Sequence, residues 1–327
     1  MNLRTTINIK PSERKIGHAT PVAFIGSCFA AEIGGKMAEG RMNTLINPAG
    51  TVYNPASILN TLSVISENRV FGDNDLYKYK ERYLSLLHYT NFSADVPGTL
   101  LDRINSVTTA SRDFLSKAGL LFITFGTARV YRLKETGMIV SNCHKLPGNL
   151  FSEELLDVDE ITSQWSGFLD VLRAFNTDLK VIFTISPVRH WKDGAHGNQV
   201  SKSVLFLAVE KLLGHPSSGG YFPAYEIIMD DLRDYRYYAE DMLHPSRTAI
   251  DYVWKTFSDC FLTSEALTIW KEARKITKGL NHRFLTDSMS AHRDFANEML
   301  RLISSLESIA PWIDFIKERS HFQEMIT

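Results

Sequence analysis

The sequence of 327 residues predicts an α/β protein, with a parallel five-stranded sheet covered by helices on both faces and a helical extension at the C-terminus. Three observations point there. Short apolar runs of strand length alternate with longer stretches of helical periodicity, as in successive βαβ units. Residues of unusual chemistry cluster just after the strand runs, at the edge where open α/β sheets bind ligands. Beyond Phe257 only amphipathic helical patterns remain.

In chain order, Val22–Ile25 is the first strand, leading through Gly26-Ser27-Cys28 into a helix over Ala30–Glu39. Thr44–Asn47 is the second strand, followed by Asn47-Pro48-Ala49-Gly50 and a helix over Pro55–Glu67. A helix over Leu100–Lys117 precedes the third strand, Leu120–Phe125, which ends at Gly126-Thr127-Ala128. Arg129–Leu133 and Met138–Asn142 bracket Glu135-Thr136-Gly137 and predict an inserted hairpin. Ser163–Ala174 is the next helix, and Val181–Ile185 the fourth strand, leading to Ser186-Pro187-Val188-Arg189-His190. The segment after it contains Asp193-Gly194 and Gly197-Asn198. It predicts a mobile loop over the site carrying Arg189, His190, His196 and Lys202, with a solvated surface loop as the alternative. Arg189 is then available for an anionic substrate group. A helix over Lys202–Leu213 precedes the fifth strand, Ala224–Met229. Ser264–Gly279, Ser290–Ala310 and Trp312–Arg319 are the helices of the tail. The main domain is expected over residues 1–260, with the extension over 261–327 packed on it. The tail reads as a helical cap or, in a second reading, as a homodimer or partner surface.

Composition narrows the class. An apolar fraction of 44% and a charged fraction of 22% are ordinary for a globular chain, and a net charge of −1 carries no basic footprint of a nucleic-acid binder. No apolar run approaches the roughly 20 residues that cross a bilayer, so no membrane partner is expected. The N-terminus lacks an apolar signal core. Cys28, Cys143 and Cys260 are odd in number and widely spaced, and read as free thiols without metal-ligand spacing. The expected location is the cytoplasm, with neither metal nor cofactor.

Two segments carry the chemistry. Gly26-Ser27-Cys28-Phe29-Ala30 places a hydroxyl and a thiol where an α/β enzyme exposes a nucleophile at a helix N-terminus. Asp241-Met242-Leu243-His244-Pro245 sets a carboxylate three residues before an imidazole, close enough to orient it and stabilise its charge. Together they point to covalent catalysis through Ser27 or Cys28.

At Gly26–Ala30 the chain resembles the GSCFA family, which belongs with the SGNH (GDSL-like) hydrolases. The resemblance extends over most of the first 250 residues. It includes Asn47-Pro48-Ala49-Gly50-Thr51-Val52-Tyr53-Asn54-Pro55, Phe125-Gly126-Thr127-Ala128, Asn142-Cys143-His144-Lys145, Ser186–His190 and Asp241–Pro245. It implies a flavodoxin-like three-layer fold with the nucleophile after the first strand and Asp-x-x-His near the domain's end. The superfamily's nucleophile lies two residues after the glycine, which without a gap is Cys28; shifting by one residue restores Ser27. A helix N-terminus and a neighbouring imidazolium activate a thiol there by lowering its pKa. The alternative is that Cys28 is a small buried hydrophobe. The resemblance also implies an oxyanion hole made of the nucleophile's N–H, a glycine N–H after the second strand (here Gly50) and an Asn side chain after the third. Gly126-Thr127-Ala128 lacks that Asn, and one such donor is worth about 2.7–4 kcal/mol of barrier, so a substitute is expected. Asn47, Asn54 and Asn142 are the candidates, each also readable as a turn residue.

Asn142-Cys143-His144-Lys145 reads as pocket wall or as plain loop, and Tyr235, Tyr237 and Tyr238 as packing for the Asp241–His244 segment or a platform for a sugar. Two functions follow. One is an acyl-ester hydrolase or acyltransferase acting on a small acylated metabolite or carbohydrate, with Asp241, His244 and Cys28 or Ser27 as its machinery. The other is a catalytically inactive binding module on the same scaffold.

Overall fold

The computed structural model describes residues 4–284 and 288–326. The chain divides into two compact units, the first formed by residues 1–9, 21–34 and 45–255, the second by 10–20, 35–44 and 256–327.

The first unit is built on the expected sheet. Its strands are β1 (Val22–Gly26), β2 (Thr44–Ile46), β3 (Leu120–Phe125), β4 (Lys180–Ile185) and β5 (Ser218–Tyr221), in the spatial order β5-β4-β3-β1-β2. β1 and β4 both pair in parallel with β3, and β5 pairs in parallel with β4. Every residue of β1 and β3 is buried, as befits strands covered on both faces. Alternate side chains take opposite faces. Ala23, Ile25, Leu121, Ile123, Phe125, Val181, Phe183 and Ile185 share one core with helices α2 (Pro55–Glu67), α4 (Val158–Phe175) and α5 (Gly194–Leu212). Trp165 of α4 is its largest fully buried side chain, packed edge-on against Phe125 and Phe183 with its indole N–H donated to the Pro55 carbonyl. On the other face Phe24 stacks on Phe122. Helix α1 (Cys28–Glu39) lies close there, since a Cβ on Gly34 would stand 2.8 Å from Ile46. The result is a three-layer α/β fold, with α3 (Pro97–Leu115) before β3.

Two small antiparallel sheets decorate it. The expected hairpin forms between Arg129–Leu133 and Ile139–Val140, and Phe151–Leu155 joins it as a third strand. Tyr77–Tyr79, Arg82–Leu84 and Ser93–Ala94 form the other sheet, which no apolar run had marked.

The fifth strand corrects the sequence reading. Ala224–Met229 is not a strand: it opens as a helical turn at Ala224–Glu226 and continues as a π-turn over Ile227–Asp231. Ala224, Ile227 and Ile228 are buried, a three-and-four spacing that puts them on one helical face. The strand is Ser218–Tyr221, where Gly219 has no room for a side chain: a Cβ would lie 2.8 Å from Ile182. The loop expected after β4 is also corrected. It is helix α5 from Gly194 onward, and Lys202 is fully buried within it.

In the second unit, α7 (Ser264–Gly279), α8 (Met289–Ile309) and α9 (Ile316–Glu324) follow α6 (Arg247–Phe261). Ile269, Ala273 and Ile276 pack with Met299, Ile303 and Phe322. The Trp270 indole N–H donates to the Lys36 carbonyl at 2.7 Å, and Arg274 donates to Glu39 at 2.6 Å. Among the described residues no helix is long and apolar enough to cross a membrane.

Candidate active site

The C-terminal ends of the parallel strands converge on a cleft of about 600 Å³. Ser27 and Cys28 reach it from the end of β1, Thr51 and Tyr53 from beyond β2, Thr127 from beyond β3, Arg189 and His190 from beyond β4, and His244 from the late segment.

The turn after β1 is built around Gly26. Its φ of +142° and a Cβ position 2.2 Å from the Thr124 carbonyl oxygen exclude any side chain. Its N–H donates to Asn47 Oδ1 at 2.8 Å and its carbonyl accepts from Val52. Ser27 follows, 1% exposed; its own N–H donates to Thr124 and its Oγ accepts the Phe29 N–H at 3.3 Å, so it caps helix α1. Cys28 is the first residue of that helix and half-buried. Burial pushes its thiol up, while the N–H groups of Phe29 and Cys28 and the charge of Lys202 pull the other way. Among the described residues the Cys28 N–H donates to no other residue.

The late segment forms the pair its spacing implies. His244 Nδ1 lies 2.6 Å from Asp241 Oδ2, and Asp241 Oδ1 accepts the N–H groups of Leu243 and His244 at 2.9 Å each. Those backbone donors first, then the imidazole, hold the Asp241 carboxyl down at about 2. Met242 adopts φ +59° to close the turn. The segment is clamped by Ala239 N–H to the His244 carbonyl and Ser246 N–H to the Tyr237 carbonyl, both at 2.7 Å. Tyr237 thus steadies it through its backbone, whereas Tyr235 is 77% exposed. His244 shares the cleft with Ser27 and Cys28, and no hydrogen bond joins it to either.

The candidates for oxyanion binding separate. Gly50 does not line the cleft, and its N–H donates to the Asn47 carbonyl at 2.8 Å, closing a turn. Asn47 holds the Gly26 turn through Oδ1, and its buried Nδ2 has no hydrogen-bond partner among the described residues. Asn54 lines the cleft but is the N-cap of α2, its Oδ1 accepting from Ser57. Asn142 lines the cleft with Cys143, and its Oδ1 accepts from Thr90 and from the His144 N–H. His144 Nε2 donates to the Ser85 and His88 carbonyls instead of facing the cleft. Gly126 is closed at both backbone ends, its N–H bonded to the Tyr53 carbonyl and its carbonyl accepting from Lys202. Ala128 is fully buried, with its N–H given to Ser201 Oγ. Arg189 lines the cleft with its guanidinium 4.9 Å over the Trp191 ring.

Lys202, expected at the end of a mobile loop over the site where a helix begins, lies instead buried within α5, its ammonium donating to the Gly126 and Ser186 carbonyls at 2.7 and 2.6 Å. Burial pushes it down to about 7. The signal was present: Asn198, Ser201, Lys202, Leu205, Ala208, Val209 and Leu212 recur at helical spacing and are all buried. Tyr53, Tyr89 and Tyr131 also line the cleft. Of these only Tyr53 lies in a segment the sequence singled out for the site; Tyr89 is brought in by a loop that carries no motif. His196 is exposed and away from the cleft. Among the described residues no three His, Cys, Asp or Glu side chains are grouped to hold a metal ion.

No curated protein matches this chain. The C-terminal domain of GSCFA domain proteins matches residues 273–327. The GSCFA family matches residues 21–257, which include the whole sheet, the Cys28 turn and the Asp241–His244 pair, and the chain belongs to that family.

Proposed function

We propose that the cleft is an acyl-transfer site of the SGNH (GDSL-like) hydrolase type, which takes a small acyl ester and passes the acyl group to water or to an acceptor alcohol or amine. One observation carries this reading: an Asp-oriented histidine opens into the same cleft as a thiol at a helix N-terminus.

Asp241 occupies His244 Nδ1, so Nε2 is the nitrogen that exchanges protons. Cys28 is raised by burial and protonated at rest, hence it needs that base. His244 removes the thiol proton as Sγ bonds to the ester carbonyl carbon, and the C=O π pair moves to oxygen. The Cys28 N–H, which among the described residues donates to no other residue, supports that oxyanion. When the pair returns, the bond to the leaving oxygen breaks and His244 passes it the proton. Water or an acceptor then attacks the thioester by the reverse sequence. Ser27 is the weaker nucleophile because its Oγ caps the helix and its N–H is engaged by Thr124. Gly50 has no part in the proposal, its N–H being held in a turn. A volume of about 600 Å³ suits a small acylated metabolite or an acylated sugar, with Tyr53, Tyr89 and Tyr131 as its walls.

The absence of a Cys28–His244 hydrogen bond favours a second reading, a binding module without chemistry. Short-chain nitrophenyl esters and thioesters separate the two. Acyl transfer predicts a burst of leaving group close to one equivalent per protein, followed by slower turnover. A binding module predicts release no faster than in buffer.

A further inference from the structure

We propose that His190 is the oxyanion donor of this site, reaching the Cys28 turn from beyond β4. The inference deepens the acyl-transfer reading and rests on it.

The geometry begins at Gly126. A Cβ built there would lie 3.1 Å from the Tyr53 carbonyl oxygen, 3.3 Å from His190 Nε2 and 3.4 Å from Ser27 Cβ. The imidazole, entering from beyond β4, thus stands against Gly126 beside the nucleophile turn, where a side chain on that residue would crowd it. Ala128, at the position of the expected asparagine, is buried with its N–H committed, so nothing from that residue reaches the cleft. His190 lines the cleft together with Cys28 and His244.

The ring is positioned and unspent. The His190 backbone N–H donates to Asn198 Oδ1 at 2.9 Å, tying the residue to helix α5. Its ring meets Tyr53 edge-on, with centroids 5.7 Å apart. Among the described residues neither ring nitrogen of His190 makes a hydrogen bond, so the single N–H of a neutral imidazole is available to a ligand.

The surroundings also decide its protonation. Burial, then the charge of Lys202, then that of His244 push His190 down to about 4. It therefore remains neutral near pH 7, and the two histidines divide the labour: one exchanges the proton, the other holds the oxygen. A neutral imidazole that polarises a carbonyl without surrendering its proton is an established device. In the Nε2-protonated tautomer, that N–H donates to the carbonyl oxygen as the π pair arrives there. No proton transfers, and the contact weakens when the pair returns and the leaving group departs.

The experiment compares wild type, His190→Ala and His190→Asn in single-turnover acylation. The alanine variant should acylate about 10²–10³-fold more slowly at saturating ester, with little change in the ester concentration that half-saturates the rate. The asparagine variant, restoring an amide donor, should recover at least part of that loss. Butyraldehyde, which forms a tetrahedral hemithioacetal on Cys28, should bind the alanine variant correspondingly more weakly. An alanine variant that acylates like an active wild type, or an asparagine variant no better than alanine, overturns the role of His190 and leaves the acyl-transfer reading standing. A wild type that forms no acyl-enzyme overturns both. Should the alanine variant not fold, nitrogen NMR of labelled wild type decides. A neutral, Nε2-protonated His190 whose signal moves on adding butyraldehyde supports the role; an imidazolium, or a ring indifferent to the aldehyde, overturns it.

Discussion

Replacing His244 with alanine should slow acylation by about 10²–10⁴-fold, the range for losing a positioned general base. The expected size follows from the state of Cys28. Burial keeps its thiol above the ordinary value, so little thiolate exists near neutrality without a base to take the proton. The His244 and Asp241 side chains are about half exposed, so the substitution should leave the folded protein's melting temperature nearly unchanged. The defect should therefore be kinetic, read as burst rate at saturating ester. Asp241, held down at about 2 chiefly by the Leu243 and His244 backbone N–H groups, stays ionised well into acid. Its depressed folded value means that its contribution to stability is full above the unfolded value of 3.8 and is lost only as pH falls towards 2. Loss of activity in mild acid thus does not arise from protonating Asp241. An unchanged burst rate in the variant would show that His244 does not serve Cys28.

Replacing Lys202 with methionine should cost stability in a way that depends on pH. The wild-type ammonium is fully buried and pushed down from 10.5 to about 7 by that burial, yet its nitrogen satisfies two carbonyls, those of Gly126 and Ser186. Methionine removes the buried charge and leaves both oxygens without their donor, at about 1–3 kcal/mol each. Below pH 7 the two effects oppose, because the wild type carries its desolvated charge. Between about 7 and 10.5 the unfolded chain holds this proton and the folded protein does not, so wild-type stability rises with pH. The slope is at most about 1.4 kcal/mol per pH unit, so the deficit of the variant should widen by about 3 kcal/mol over two units above that point. Urea unfolding of both proteins across that range measures it. A difference that does not change with pH would mean that Lys202 is not the buried, neutralising group described.

What the sequence disclosed depended on whether a signal was local. β1, β3 and β4 were legible because strands covered on both faces are unbroken apolar runs. The same rule misread Ala224–Met229, since a short apolar run does not by itself distinguish strand from helix, while Ser218–Tyr221, with two glycines, carries almost no strand signal. The Asp241–His244 contact was legible because three residues and a turn bring the two side chains together. The fates of Gly50 and Asn54 were not: both stand at promising strand ends, but local turns and caps engage their hydrogen-bonding groups. Lys202 was obscured by Asp193-Gly194 and Gly197, which look like loop and in fact open α5. His190 and Tyr89 meet the cleft through tertiary placement that no spacing encodes.

The central claim is that Cys28 receives an acyl group from the ester. Intact-mass analysis of protein quenched during the burst, followed by peptide mapping, tests it most directly. The account predicts a single acyl mass increment on the peptide spanning Gly26–Ala30, localised to Cys28 and lost in Cys28→Ala. A protein that releases the leaving group while carrying the acyl mass elsewhere, or none at stoichiometric concentration, would contradict it.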